Sequence, residues 1–507
     1  MRISIDKKSS IPIYVQIKNE IRNIIYSGML PSNFLLPSER KLAEELNVSR
    51  STVISAYEEL KSLGLLESHK GKGTIVANNT KNKQLSIRNH TVPLSWYQFF
   101  DSNVSSANNH DIVDIINSVG GEKNISFSAG IADPSLHPLK DIVKLQKDLW
   151  ENCGNDMLAY ISSYGYYPLR ESLSRLLKSR NISVSPKEIM ILSGSMQGID
   201  FIGRAFLSKG DVVIVEEPTF MSAIELFKLS GAKVIGVPME SDGINLDVLE
   251  ILLNKYKPKF LYTVPTFQNP TSIVMSLEKR YKLLNLAYKY QLPIIEDDPY
   301  SEINYENIYL PSLKSLDTYG YVIYLSTFSK TMFSGMRVGW TAAPVQVIKK
   351  FALLKQMTDL HVNTASQYIL DKFLREGLYE NHIKLICKEY MKKRDLMLSI
   401  LEKNKSLGIS FNLPKGGYYI WCKLPENISQ TQLLLKCSKK GVSYAPGNVF
   451  YPEGSDGKSY MRLNYTFENA KNISIGLNKL MKSIAELIQN TNSSTVNQDN
   501  YFGKPII

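Results

Sequence analysis

The 507-residue sequence predicts a multidomain chain: a small α+β head of helices with a two-stranded wing, then a large α/β body on a mainly parallel sheet. Three observations predict it. The length suits about three domains, or one large body with something small attached. The first 77 residues carry helical periodicity and end in a Gly-punctuated segment. From about residue 123 onward, short β-branched runs alternate with longer helical patterns, as a parallel sheet covered by helices requires.

In the head, Ile13, Ile17, Ile21, Ile24 and Ile25 recur at three- and four-residue steps, one apolar stripe on a helix that stops at Ser27 and Gly28. Ser38 can cap a second helix running to Leu46, and Ser49 a third running to Leu63, with Gly64 as its stop. Only Asn47 and Val48 separate them, and Leu42, Leu46, Val53, Tyr57 and Leu60 face inward. Two helices joined so tightly make a helix-turn-helix, with Ser49, Arg50, Ser51 and Thr52 at the end that would enter a major groove. Residues 65–68 and 74–76 can pair as a wing whose tip holds His69, Lys70, Gly71 and Lys72.

Residues 78–122 are rich in Asn, Ser and Lys and contain the aromatic patch Trp96, Tyr97, Phe99 and Phe100, which reads as a linker that docks at one place. The body spans 123–485, with buried runs at 189–192, 212–215, 260–264, 293–296 and 321–325. Residues 486–507 are polar without periodicity and read as a disordered tail.

Lys and Arg number 60 against 48 Asp and Glu, a net charge of +12, but the excess is spread along the chain, so charge alone does not establish nucleic-acid binding. The cysteines, Cys153, Cys387, Cys422 and Cys437, form no C-x-x-C pair and no disulfide framework, which fits a reducing, cytoplasmic setting. The six histidines include no H-x-x-x-H pair, so no metal is expected. No run of about 18 apolar residues suggests a membrane span.

The most informative segment runs from the strand at 321–325 through Ser326, Thr327, Phe328 and Ser329 to Lys330, then Arg337 seven residues on. A lone lysine after a strand is usually a surface charge. Here the Thr327 and Ser329 hydroxyls with the Arg337 guanidinium suit a phosphate dianion beside an amine, the partners of a phosphate-bearing aldehyde. Upstream, Ser193, Gly194, Ser195 and Met196 turn a strand into a helix whose backbone N–H groups can meet an anion. The strand at 293–296 ends in Asp297, Asp298, Pro299 and Tyr300. A carboxylate there can hold a proton on a pyridine nitrogen, and the Tyr300 phenol can reach a ring hydroxyl, with Asn269 as a second partner.

The strings IPIYVQI, LPSERKLAEELNVSRSTVISAYEELKSLGLLE and GKGTIV resemble the GntR-type winged helix. That resemblance implies double-stranded operator DNA as a partner, contacted through Arg40, Ser49, Arg50 and Gly71, helped by Thr52 and Lys70. The body resembles the class I/II, fold-type I pyridoxal-phosphate aminotransferases, and its cofactor would be pyridoxal 5'-phosphate. Lys330 then matches the lysine bonded to the cofactor, Asp297 the pyridine partner, and Tyr300 and Asn269 the partners of the phenolic oxygen. Ser195, Met196, Thr327, Ser329 and Arg337 match the phosphate site, Phe220 the ring that stacks on the cofactor, and Tyr160 a tyrosine lent to the partner subunit. Arg462 matches the grip on a substrate carboxylate, and Gly130 lies in the substrate loop. Two departures stand out: Asn-Pro-Thr-Ser272 replaces the usual Asn-Pro-Thr-Gly, and Gly130-Ile131-Ala132-Asp133 replaces Gly-x-Pro-Asp.

Together the two halves resemble the MocR/GabR subfamily of GntR regulators. The resemblance implies a homodimer, with each winged helix able to lie over the other subunit, that senses a small amino-compound effector by imine exchange at Lys330 and alters operator binding. A working aminotransferase carrying a DNA-binding module is the alternative. Effector, operator and regulatory sign are not readable from the sequence.

Overall fold

A computed structural model of the chain describes residues 12–69, 73–78, 124–128, 130–306, 309–426, 428–454 and 456–499, with the single positions 3, 5 and 99. Its contacts divide the chain into two compact units, 1–107 and 108–507.

In the first unit, α1 spans Ile13–Tyr26, α2 Glu39–Leu46 and α3 Arg50–Ser62. Ile17 and Ile21 of α1 are fully buried with Leu42, Val53, Tyr57 and Leu60, while Leu46 is only partly covered. Full burial of each large aliphatic side chain contributes about 1.5–3 kcal/mol. The caps are those expected: Ser38 Oγ accepts from Lys41 N at 3.3 Å and Ser49 Oγ from Thr52 N at 3.2 Å. Asn47 takes the left-handed conformation that ends α2, at φ 51°. Helix α3 stops at Ser62, with Leu63 as its C-cap and Gly64 at φ +68°. Strands β1, Leu66–His69, and β2, Gly73–Val76, pair antiparallel, a wing shifted by one residue from the sequence reading. The expected contacts Lys70 and Gly71, and the linker aromatics Trp96, Tyr97 and Phe100, lie outside the described residues.

The second unit holds two sheets. Strands β3 (Ile125–Phe127), β4 (Ile189–Leu192), β5 (Val212–Glu217), β6 (Lys233–Glu240), β7 (Gly243–Ile244), β8 (Leu261–Thr263), β9 (Ile294–Asp297), β10 (Val322–Thr327) and β11 (Gly339–Ala342) come first. Then follow β12 (Ser410–Phe411), β13 (Tyr419–Lys423), β14 (Val442–Pro446) and β15 (Tyr460–Asn464). The large sheet has the order β4-β11-β10-β9-β8-β5-β6-β7. Its centre is parallel from β10 through β6, with β11 antiparallel to both neighbours. Strands such as Ile-Met-Ile-Leu and Ile-Ile-Glu-Asp are buried at every position because helices cover both faces. The carboxyl ends of β4, β9 and β10 open on one edge, the usual place for a ligand in such a sheet. The smaller sheet, β12-β13-β15-β14-β3, is mostly antiparallel and packs with the helices Leu378–Lys403 and Ala470–Asp499.

That last helix corrects the boundary drawn at 485. It continues to Asp499, so residues 486–499 are helical rather than a disordered tail, and 500–507 lie outside the described residues. Ile473, Leu477, Leu480 and Ile484 are buried at helical spacing, and Leu487 and Ile488 carry the stripe onward against the same core. Glu486 adds ion pairs to Lys436 at 2.9 Å and Lys440 at 3.0 Å. The polar composition beyond 489 concealed this continuation.

Candidate cofactor cavity and DNA-reading face

A cavity of about 160 Å³ opens at the carboxyl edge of the large sheet. Gly130, Ser195, Met196, Phe220, Asn269, Asp297, Tyr300, Thr327, Ser329, Lys330, Arg337 and Arg462 all line it. The sequence therefore brought together residues from 130 to 462. Tyr160 stands apart: it is 85% exposed, edge-on to His361 at 5.6 Å, and does not reach the cavity of its own chain.

One end is an anion cup. Strand β4 runs through Ser193 and Gly194 into the helix Ser195–Phe206, whose first N–H groups have no intrahelical acceptor. Gly194 holds φ +82°, a conformation that favours glycine, and a Cβ there would fall 2.5 Å from Arg337 Nη2 and push the guanidinium aside. Arg337 Nη1 donates to Ser329 Oγ at 3.1 Å and Nη2 to Ser193 O at 3.2 Å. Thr327 Oγ1 lies 3.0 Å from Ser329 Oγ.

At the other end Tyr262 Oη donates to Asp297 Oδ2 at 2.6 Å. Among the described residues nothing reaches the buried Asp297 Oδ1. Burial, with Asp298 nearby, pushes the Asp297 carboxyl up to about 7. An unpaired buried carboxylate oxygen is costly unless something with a proton meets it. Lys330 Nζ donates to Gly130 O at 2.5 Å, and burial lowers its pKa, helped by the positive Arg462 and Arg337. Burial likewise raises Tyr300, whose Oη lies 3.1 Å from Tyr419 Oη. The donor cup, the Lys330 amine and the orphaned carboxylate oxygen fit the phosphate, aldehyde and pyridine nitrogen of pyridoxal phosphate.

Arg462 is 2% exposed and stacks over Tyr419 at 4.0 Å and Phe450 at 4.8 Å. Its Nη1 donates to Asn269 Oδ1 at 2.8 Å and Nη2 to Ser128 O at 2.6 Å, while Nε has no partner among the described residues. Of the two departures from the family pattern, the one at Ser272 has a local account, while nothing in the structure explains Ala132 in place of proline. Ser272 sits at φ 59°, the region glycine favours, and its Oγ donates to Tyr419 O at 2.7 Å. One hydrogen bond of about 1 kcal/mol offsets a conformational cost of about 1–2 kcal/mol. Asp133 is engaged elsewhere, accepting from Ser135 N at 2.8 Å and Lys393 Nζ at 2.6 Å. Sequence reasoning passed over Tyr419, Met221, Val264 and Pro299, all in the lining. The Gly416-Gly417 turn into β13 was the available signal for Tyr419.

In the head, Ser49, Arg50 and Ser51 are exposed at the start of α3 and Thr52 partly so. Ser49 Oγ lies 2.8 Å from Ser51 Oγ and 2.7 Å from Thr52 Oγ1. Arg40 is 81% exposed, with one pair to Glu44 at 3.2 Å.

A helix-turn-helix with a wing and an aminotransferase-type body define a class, the DNA-binding regulator with an aminotransferase domain. The description "Aminotransferase class I and II" matches residues 122–480, and "Bacterial regulatory proteins, gntR family" matches 13–76. The HTH-type transcriptional regulator YdfD of Bacillus subtilis is 32% identical over 481 residues, covering 95% of this chain and 98% of that protein. Aromatic-amino-acid aminotransferase 1 of Thermococcus litoralis is 35% identical over 410 residues, 80% of this chain and 98% of its own. The solved structure of LysN, an α-aminoadipate aminotransferase of Thermus thermophilus complexed with N-(5'-phosphopyridoxyl)-L-leucine, is similar at TM-score 0.73 and 31% identity, covering 78% of this chain and all of that one.

The chain belongs to the aminotransferase class I and II family and carries a GntR head, the MocR-type arrangement. It is a GntR-family HTH transcriptional regulator with an aminotransferase domain. The GntR head implies DNA binding; the aminotransferase family is typically pyridoxal-phosphate dependent and its fold typically dimeric. Among the described residues no helix is long and apolar enough to cross a membrane.

Proposed function

We propose that this regulator binds pyridoxal 5'-phosphate at Lys330, receives a small amino compound there, and alters its hold on operator DNA in response. The observation that carries the reading is the single cavity shared by the Lys330 amine, the unpaired Asp297 Oδ1 and the Arg337 cup, in a chain that also bears a capped helix-turn-helix. Bound there, pyridoxal phosphate supplies an electrophilic aldehyde carbon and an electron-withdrawing pyridine ring.

The chain's own residues do the rest. Ser195, Met196, Thr327, Ser329 and Arg337 hold the phosphate. Asp297 keeps a proton at the pyridine nitrogen through Oδ1. Tyr300 and Asn269 orient the ring hydroxyl, and Phe220 covers the ring face. Lys330, with its pKa lowered by burial, would hold its amine where the aldehyde carbon would lie, the place an effector amine would compete for. Arg462 meets a carboxylate on the effector, while Gly130 leaves room beside it. The exposure of Tyr160 suits a side chain that reaches a second subunit, so the working form is a homodimer. In the head, Arg40, Ser49, Arg50 and Thr52 meet the operator, with Lys70 and Gly71 from the wing tip.

An effector shifts DNA binding only by its differential affinity for two arrangements of the protein. Titrating amino acids, polyamines and other amines against the visible spectrum, with upstream DNA present, tests the reading. A compound that changes the spectrum should change operator affinity over the same concentrations. If every spectrally active amine leaves DNA binding untouched, sensing is lost as a function. The completeness of the cavity also supports an aminotransferase carrying a DNA-binding module. Sustained turnover with a 2-oxo acceptor at about 1–10³ s⁻¹ would favour it.

A further inference from the structure

Next to the anion cup lies a polar network whose members Lys355, Asp359 and Gln197 do not line the cavity. Lys355, on the helix Val345–Thr358, is 0% exposed. Its ammonium donates to Asp359 Oδ1 at 2.9 Å, Asp359 Oδ2 at 3.0 Å and Gln197 Oε1 at 2.7 Å. Gln197 passes the constraint on: Oε1 also accepts from Ser193 N at 2.9 Å, and Nε2 donates to Asp359 Oδ2 at 3.0 Å. Ser193 Oγ donates to the same Asp359 oxygen at 3.2 Å.

All three polar groups of Ser193 are therefore engaged, its N–H by Gln197, its hydroxyl by Asp359 and its carbonyl by Arg337. Ser193 is the last residue before Gly194 and the free N–H groups of Ser195 and Met196. An ion pair at the end of one helix needs no glutamine from another helix to be satisfied. Burying a lysine costs free energy that an apolar residue of similar shape would avoid, so the pair is a poor stabiliser in itself. What it does is fix the direction in which the Ser193 turn presents its amides.

We propose that Lys355, Asp359 and Gln197 are positioning residues that hold the Ser193–Ser195 turn for a phosphate dianion and set the preference for phosphorylated over unphosphorylated pyridoxal. The inference rests on the cofactor reading given above. It concerns the cup alone, since none of the three faces Lys330 or Asp297 in the cavity lining.

The test is absorbance titration of cofactor-free protein with pyridoxal 5'-phosphate and, separately, with pyridoxal. Lys355→Met should weaken the phosphorylated ligand about tenfold or more, the usual scale for losing a supporting shell. Pyridoxal affinity should stay within about twofold, so the ratio of the two constants falls. Asp359→Asn, a near-isosteric change that removes the charge facing Lys355, should lower the same ratio and carries the test if Lys355→Met does not fold. An unchanged ratio in folded variants, or equal loss for both ligands, overturns the proposal. Failure of wild-type protein to take up either ligand would instead overturn the cofactor reading.

Discussion

The two units use charge in opposite ways. In the head, Arg40 and Arg50 are exposed, and the one side-chain pair of Arg40 is with a neighbour four residues along. In the body, Asp297 and Arg462 are buried and Lys330 lines the cavity. Exposed charges act through attraction to phosphates, which salt weakens at a slope of about 0.9 per phosphate neutralised. Buried groups are little screened, and burial moves their pKa instead. Salt should thus govern the head and pH the body.

The sharpest way to break this contrast is Lys330→Ala. It removes the amine while leaving the cup and Asp297 in place, so the absorption band of the lysine–cofactor imine should vanish in a folded protein, even if the free aldehyde still binds. A spectrum unchanged from wild type would take Lys330 out of the site. Next in size is Arg462→Ala. Losing a buried charged hydrogen-bond donor costs about 2–5 kcal/mol, so the response to carboxylate-bearing amines should fall at least about thirtyfold. The cofactor's own absorption should remain. An equal response would mean that the effector is a plain amine.

Asp297 tests the pH half of the comparison. Without cofactor its carboxyl sits at about 7 rather than near the ordinary value of about 4. Between those values the folded protein holds a proton that the unfolded chain has released, so stability falls as pH rises through that window. The ceiling is about 4 kcal/mol, about three pKa units at about 1.4 kcal/mol each. Asp297→Asn lacks this titration, so cofactor-free variant should gain on wild type between pH 5 and pH 8 in thermal melts. The unpaired amide N–H subtracts about 1–3 kcal/mol at both pH values. A stability gap that does not change with pH would mean that Asp297 is ionised at both. With cofactor bound the sign reverses, because asparagine cannot neutralise a protonated pyridine nitrogen.

How much of this was legible depended on whether a residue's role is local. The caps Ser38 and Ser49 and the turn at Asn47 are set by neighbours in sequence and followed from spacing alone, whereas the strands read as ending at 296 and 325 run on through Asp297 and Thr327. Tyr419, which stacks under Arg462, and Lys355, which acts through Gln197 on another helix, are placed by tertiary packing. No short pattern marks Lys355, and only the Gly416-Gly417 turn hints at Tyr419. The tail failed for a related reason: Leu487 and Ile488 lengthen a helix only because the small-sheet core lies beneath them. Ser272 is the converse, a departure seen at once whose accommodation needed the Tyr419 carbonyl.

The smaller effects belong to the head. Arg50→Ala should weaken operator binding by about 1–3 kcal/mol if the guanidinium reads a base, and less, with a shallower salt slope, if it holds phosphate. Cofactor uptake should not change. Ser49 separates folding from recognition more finely. Its Oγ caps α3 through Thr52 N, so a fall in DNA binding for Ser49→Ala mixes a lost cap of about 1 kcal/mol with a lost contact. Ser49→Asp keeps the cap and favours the helix dipole, so stability should stay within about 0.5 kcal/mol of wild type. It also puts a negative charge where a phosphate would sit. Operator affinity should therefore fall, and more steeply at low salt, where repulsion is least screened. Wild-type affinity in a folded Ser49→Asp protein would turn the start of α3 away from the DNA backbone.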